Sequence, residues 1–258
     1  VTEWTQKQRR SRTWLEIAIV LGLSLGSSAV YSIVSLLRKL SSEQSLNAQK
    51  AVINQSLADQ PVFDLVYQLL GIFFGLVPVV LVFWLLEQPG KSAFTQLGFT
   101  LSQPGKDLLR GVGLAAVIGI PGLGLYLVGH ALGFTVTIVP TALDTFWWTV
   151  PVLVLAALRA ALVEELIVVG YLFTRLRELG WKTWHIIGAS AILRGSYHLY
   201  QGFGPFVGNV AMGIVFGLAY QRWGRTMPLV IAHWILDIVS FTGYALVKSI
   251  APGFLPGT

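Results

Sequence analysis

Residues 146–175 read FWWTVPVLVLAALRAALVEELIVVGYLFTR. These thirty mostly apolar residues exceed the roughly 20 that cross the hydrocarbon core of a bilayer as a helix. Only Arg159, Glu164 and Glu165 interrupt the apolar run before Arg175 closes it. Two adjacent carboxylates in such a setting are expensive, because an ionisable side chain facing lipid costs at least a few kcal/mol. The stretch therefore predicts both a membrane helix and a polar interior to receive its glutamates.

Six more apolar runs flank it, at about 13–37, 62–86, 108–133, 184–200, 204–221 and 227–249, each bounded by polar residues, Gly or Pro. The expected fold is all-α, a polytopic transmembrane helical bundle of about seven spans. Composition agrees: 54% of the 258 residues are hydrophobic and 12% are charged, against roughly 25% charged in soluble chains. A soluble enzyme, a disordered chain and a disulfide-stapled secreted domain are excluded. The absence of cysteine removes thiolate nucleophiles and zinc–thiolate sites. The first run is too long for a signal-peptide core and is expected to remain as an anchor.

The net charge of +6 is read as topology rather than as affinity for nucleic acid. Twelve Lys and Arg fall on the side of the N-terminus and four on the other, so the positive-inside rule puts the N-terminus in the cytoplasm. The expected organisation is a basic cytoplasmic tail (1–12), membrane helices and loops (13–145), a helical bundle carrying the chemistry (146–250) and a C-terminal tail (251–258). The polar segment 41–60 is expected to form an external loop, and FTQLGFTL at 94–101 to lie along the cytoplasmic interface. A multi-pass protein of a bacterial plasma membrane is the expected setting. Its partners would be the lipid bilayer, a peptide or membrane-protein substrate and further membrane-protein subunits.

Ionisable residues inside the spans concentrate in the last hundred residues: Arg159, Glu164, Glu165, Arg194, His198, His233 and Asp237. His233 and Asp237 are four apart and share a helical face. Ser190, Arg194, Tyr197, His198 and Gln201 form a polar stripe on the fifth helix. Small residues line the fourth helix (Ala157, Ala160, Ala161) and, with Asn209, the sixth (Gly213, Gly217), so neighbouring helices can approach closely. Three polar stripes can thus converge. A carboxylate in a low-dielectric cavity is suited to take a proton from water, and imidazoles can orient that water, bind a metal or donate to an oxyanion. The combination fits amide hydrolysis. The alternative for the charges is a buried salt bridge, in which the glutamates neutralise Arg159 or Arg194.

Over roughly Val150 to Val247 the order of these motifs resembles the CPBP family, the CAAX prenyl endopeptidases and Abi-type bacteriocin-processing intramembrane proteases. Glu164-Glu165 followed by Gly170 is similar to that family's first motif, His198 to its second, and His233 with Asp237 to its last. Two positions depart from the pattern, because Val169 stands where the first motif has Arg and Arg194 where the second has Phe. Facing helices would let Arg194 supply the guanidinium that position 169 lacks. The resemblance implies Glu164 as general base, His198 positioning the water, and His233 and Asp237 shaping an oxyanion or metal site, with Glu165 among the catalytic residues and Arg194 and Asn209 supporting. It leaves metalloprotease-like chemistry open, since Glu164, His198 and His233 make an acceptable zinc set although the spacing is not HExxH. A reading of another class is a non-proteolytic membrane partner or scaffold that keeps these residues as a polar core. At ~1.5 Å per residue Glu164 lies about 16 Å from the end of its span, level with Arg194. His233 comes out shallower and His198 deeper, so the helices are expected to tilt.

Overall fold

A computed structural model describes residues 4–251, Gly253 and Pro256, without the side chains of Ala245 and Lys248. Most of the expected tail at 251–258 lies outside the described residues. The chain is mostly helical. α1 (Gln6–Gly22) begins at a capping box, in which Thr5 and Gln8 satisfy each other's backbone N–H groups. It meets α2 (Leu25–Leu40) at a 56° bend. Gly26 stands at this bend because a Cβ there would come within 2.8 Å of the Leu21 carbonyl oxygen. α3 (Pro61–Gly75) and α4 (Val77–Leu86) form one apolar rod, α5 (Ala93–Leu97) is a short helix, and α6 (Pro104–Ala131) is the longest. α7 (Thr149–Val163), α8 (Leu172–Glu178), α9 (Thr183–Ser196), α10 (Phe203–Trp223) and α11 (Met227–Ile250) complete the bundle. Proline in the first turn of α3, α4, α6 and α11 supplies a helical φ where no backbone donor is needed.

Residues 146–175 do not form one regular helix. α7 passes at Glu164 into a π-helical segment (Glu164–Tyr171), and α8 follows it. Every residue of the π segment is buried. Leu166, Ile167 and Val169 pack there with Phe173, Ile187 and Phe216 in the main core, which also takes Ile17 and Val20 from α1.

Among the described residues four helical stretches are long and apolar enough to cross a membrane, or five if the bent α1–α2 pair is one span; the expected seven are not found. The largest difference is at the fifth run. α9 has 14 residues, about 21 Å at 1.5 Å per residue, and is too short for a core roughly 30 Å thick. It ends in a short 3-10 turn at Leu199–Gln201. The outward faces of the long helices are apolar and open, with Phe73, Trp84, Leu109 and Ile120 each more than 60% exposed, as a lipid-facing surface requires.

The loop expected at 41–60 contains β1 (Lys50–Asn54), paired in parallel with β2 (Thr137–Thr141), and the two strands form a small cap over the helix ends. Its registration joins Lys50 to Thr137 and Asn54 to Thr141. Val136 donates to the Gln201 carbonyl at 3.1 Å and Phe203 to that of Phe134 at 2.8 Å, so the cap is stitched to the turn that follows His198.

Candidate active site

Glu164 and Glu165 sit where α7 becomes π-helical, and both are buried. A π turn places one more residue per hydrogen-bonded ring than an α turn and rotates side chains accordingly, which is why such segments recur at functional sites. Neighbours on an α-helix point about 100° apart, and here the two carboxylates reach one guanidinium. Ser190 Oγ of α9 donates to the Val168 carbonyl at 2.9 Å, giving the altered ladder a partner outside its own helix.

Arg194 is the largest fully buried side chain among the described residues. Its Nη2 donates to Glu165 Oε1 at 2.6 Å, and its Nη1 stands 3.6 Å from Glu164 Oε2. The guanidinium lies 5.3 Å from the Phe216 ring centroid, within cation–π range. Glycine on α10 makes room for it: a Cβ on Gly213 would sit 2.8 Å from Ala191 Cα and 3.5 Å from Arg194 Cδ. Val169 packs in the apolar core, so the guanidinium serving the glutamates comes from α9 and not from their own helix. The facing-helix geometry expected from the sequence is present.

His233 of α11 completes this side, its Nδ1 2.6 Å from Glu165 Oε1 and its Nε2 3.5 Å from Asp237 Oδ2. The i,i+4 spacing of HWILD therefore works as expected. Trp234 Nε1 donates to the Val154 carbonyl at 3.0 Å and fixes α11 against α7. Arg159 is within electrostatic range of Glu164 and Asp237, while the close ion pairs of the glutamates go to Arg194.

The Glu164 oxygen that lies near Arg194, Oε2, also meets the residue that ends α9 and the one that follows it. It accepts from the Tyr197 hydroxyl at 2.7 Å and lies 4.0 Å from His198 Nε2. His198 belongs to no long helix: α9 ends at Ser196, and the following turn brings the ring back toward Glu164. That early end removes the depth mismatch expected from a continuous fifth span. Neither ring nitrogen of His198 has a hydrogen-bond partner among the described residues, although both are buried. Buried nitrogens of this kind cost stability unless something polar reaches them. A gap of 4.0 Å is too long for a hydrogen bond and suits one bridging water.

Two expected groupings differ from the contacts seen among the described residues. Asn209 is not drawn to the glutamates: its Nδ2 donates at 3.0 Å to the Pro205 carbonyl of its own helix, a bond to the preceding turn that satisfies the amide locally. The zinc set of Glu164, His198 and His233 is not the one gathered either. Among the described residues the ligand atoms that converge within 4.8 Å belong to Glu164, Glu165 and His233. Glu165 Oε1 is already shared between Arg194 and His233. A permanent cation within 4.0 Å of both carboxylates repels a divalent ion, so the residues suit a guanidinium-neutralised carboxylate pair better than a metal.

The contact of Tyr197 with Glu164 has no signal in the sequence, where Tyr197 is one member of a polar stripe. Its position before His198 gives no warning, because the contact depends on where α9 stops. Outside the site, Glu16 in the middle of α1 also escapes a reading of the spans. It accepts from Arg175 Nε at 2.7 Å and from the Tyr171 hydroxyl at 3.0 Å, tying the end of the π segment to the first helix.

Residues 146–239 match the family described as type II CAAX prenyl endopeptidase Rce1-like. No curated protein and no solved structure matches the chain.

Proposed function

We propose that the chain, whose residues 146–239 match the type II CAAX prenyl endopeptidase Rce1-like family, is an intramembrane endopeptidase. It would cleave a peptide presented from a bacterial plasma membrane or its cytoplasmic face. The observation that carries the reading is the Glu164–His198 pair, a buried carboxylate and a half-buried imidazole 4.0 Å apart, with neither ring nitrogen hydrogen-bonded among the described residues.

In this reading a water held between Glu164 Oε2 and His198 Nε2 attacks the scissile carbonyl, and Glu164 takes its proton. Tyr197 occupies one lone pair of the same carboxylate oxygen and so fixes the direction of the remaining one. Negative charge then develops on the carbonyl oxygen. Arg194 offers Nη1 and Nε, which have no hydrogen-bond partner among the described residues, and so supplies a preorganised cation beside it. Glu165 is held through Oε1 by Arg194 and His233 and acts as their anchor rather than as a base. The 3.5 Å contact to Asp237 aligns the His233 ring. Collapse of the tetrahedral intermediate returns the proton from Glu164 to the leaving amine.

Glu164→Gln and His198→Ala test the reading in the purified, reconstituted chain. Membrane proteins incubated with wild type should show new N-termini by mass spectrometry, and both variants should lose them, with cleavage falling at least about a hundredfold while thermal unfolding stays within a few degrees. Equal cleavage, or none, by wild type and variants alike would favour the scaffold reading, in which the same residues are a structural polar core. A strong divalent chelator should leave wild-type cleavage unchanged, and inhibition that added zinc reverses would overturn the guanidinium-neutralised site.

A further inference from the structure

The first three turns of α1 carry Lys7, Arg10 and Trp14 at steps of three and four, which places them on one helical face. They line an open groove together with Gln6 and Ser11. The groove is built against a second element. Arg10 Nη2 reaches the Leu179 carbonyl at 3.4 Å, and Trp14 meets Trp181 edge to face at 6.0 Å between ring centroids. Lys7, Arg10 and Trp14 are nonetheless exposed, so the charges face outward beside an aromatic floor.

No acid of the same helix turns neutralises these cations. From Thr5 to Leu15 the chain has no Asp or Glu, and two nearby carboxylates among the described residues, Glu16 and Glu178, are both held by Arg175, at 2.7 and 3.0 Å. Lys7 is about 10 Å above Trp14 along the helix at ~1.5 Å per residue. An indole prefers the headgroup region, where Lys and Arg can meet lipid phosphates.

We propose that this groove is a binding site for an anionic phospholipid. The phosphodiester would lie between Lys7 and Arg10, and the start of an acyl chain would run over Trp14 and Trp181. The bent α1–α2 pair would thereby be pinned at the cytoplasmic leaflet, where anionic lipids attract juxtamembrane cations. The site is independent of the proposed hydrolysis.

Native mass spectrometry of the detergent-purified full chain, supplied with phosphatidylglycerol or phosphatidylcholine of the same acyl chains, tests it. Wild type should retain phosphatidylglycerol in preference, and Lys7→Gln/Arg10→Gln should lose roughly tenfold of that preference. Arg9→Gln/Arg12→Gln removes the same charge from the other side of the helix and should keep most of it. Equal loss in both pairs would show diffuse attraction and overturn the site, as would equal retention of the two lipids by wild type. Displacement of the lipid by an acidic peptide at a lower concentration than phosphatidylglycerol itself requires would make the groove a peptide site instead and also overturn the proposal. Unchanged circular dichroism in both pairs excludes misfolding at these exposed positions.

Discussion

The hydroxyl of Tyr197 donates to Glu164 across 2.7 Å inside a pocket formed by Ala29, Val168 and Leu193. Tyr197→Phe keeps the ring and deletes that donor, so it isolates what the hydrogen bond does. The folded state should lose on the order of 1–2 kcal/mol, since a buried carboxylate oxygen loses one partner. Cleavage should fall by about tenfold or more, because an acceptor free to turn no longer aims at the water beside His198. Turnover measured beside denaturant unfolding checks both, and a variant with full activity would remove Tyr197 from the positioning of Glu164. At this scale the sequence is informative where spacing alone decides direction, as for His233 and Asp237. It is silent on Tyr197, whose direction depends on the helix having already ended.

The π segment and α9 are the elements that make the site, and glycine governs how closely α10 approaches them. Gly213→Ala would put a methyl group 2.8 Å from Ala191 Cα, a backbone atom that cannot yield without moving α9 and with it Arg194. At Gly188, on the same helix as Arg194, a methyl group would meet nothing within 4 Å. Gly213→Ala should therefore destabilise by about 1–3 kcal/mol and reduce cleavage. Gly188→Ala should be neutral or stabilising by about 0.5–1 kcal/mol through helix propensity. Thermal unfolding and activity of the pair check the contrast. Apolar periodicity marks these elements but not their ends. Residues 184–200 read as one span because hydropathy does not register a helix that stops at Ser196 and turns inward, and the run at 146–175 hides a π segment for the same reason.

Across the molecule, one partly buried and one buried ion pair join distant parts of the chain. Glu16 and Arg175 fasten α1 to the end of the π segment. Arg225 grips Asp107 through two nitrogens, with its Nε at 2.9 and 3.1 Å from the two carboxylate oxygens, and reaches Ser102 and the Thr100 carbonyl, so α6, the loop before it and the start of α11 are held as one. Gly98, at φ +62°, lets this loop lie against Gly224, where any Cβ would collide with backbone. Asp107→Asn leaves Arg225 buried without its counter-ion and should cost about 3–5 kcal/mol. Unfolding in detergent should show that loss, and a change under about 1 kcal/mol would make the pair dispensable.

Hydropathy and helical spacing are enough to establish a membrane bundle, the half of the chain that carries the polar residues, and the shared face of His233 and Asp237, because each depends only on local periodicity. The gathering of Glu165, Arg194 and His233, the return of His198 toward Glu164 and the parallel pairing of 50–54 with 137–141 depend on where helices end and how near their backbones come. Those are properties of packing between segments far apart in the chain, and no local pattern of residues contains them.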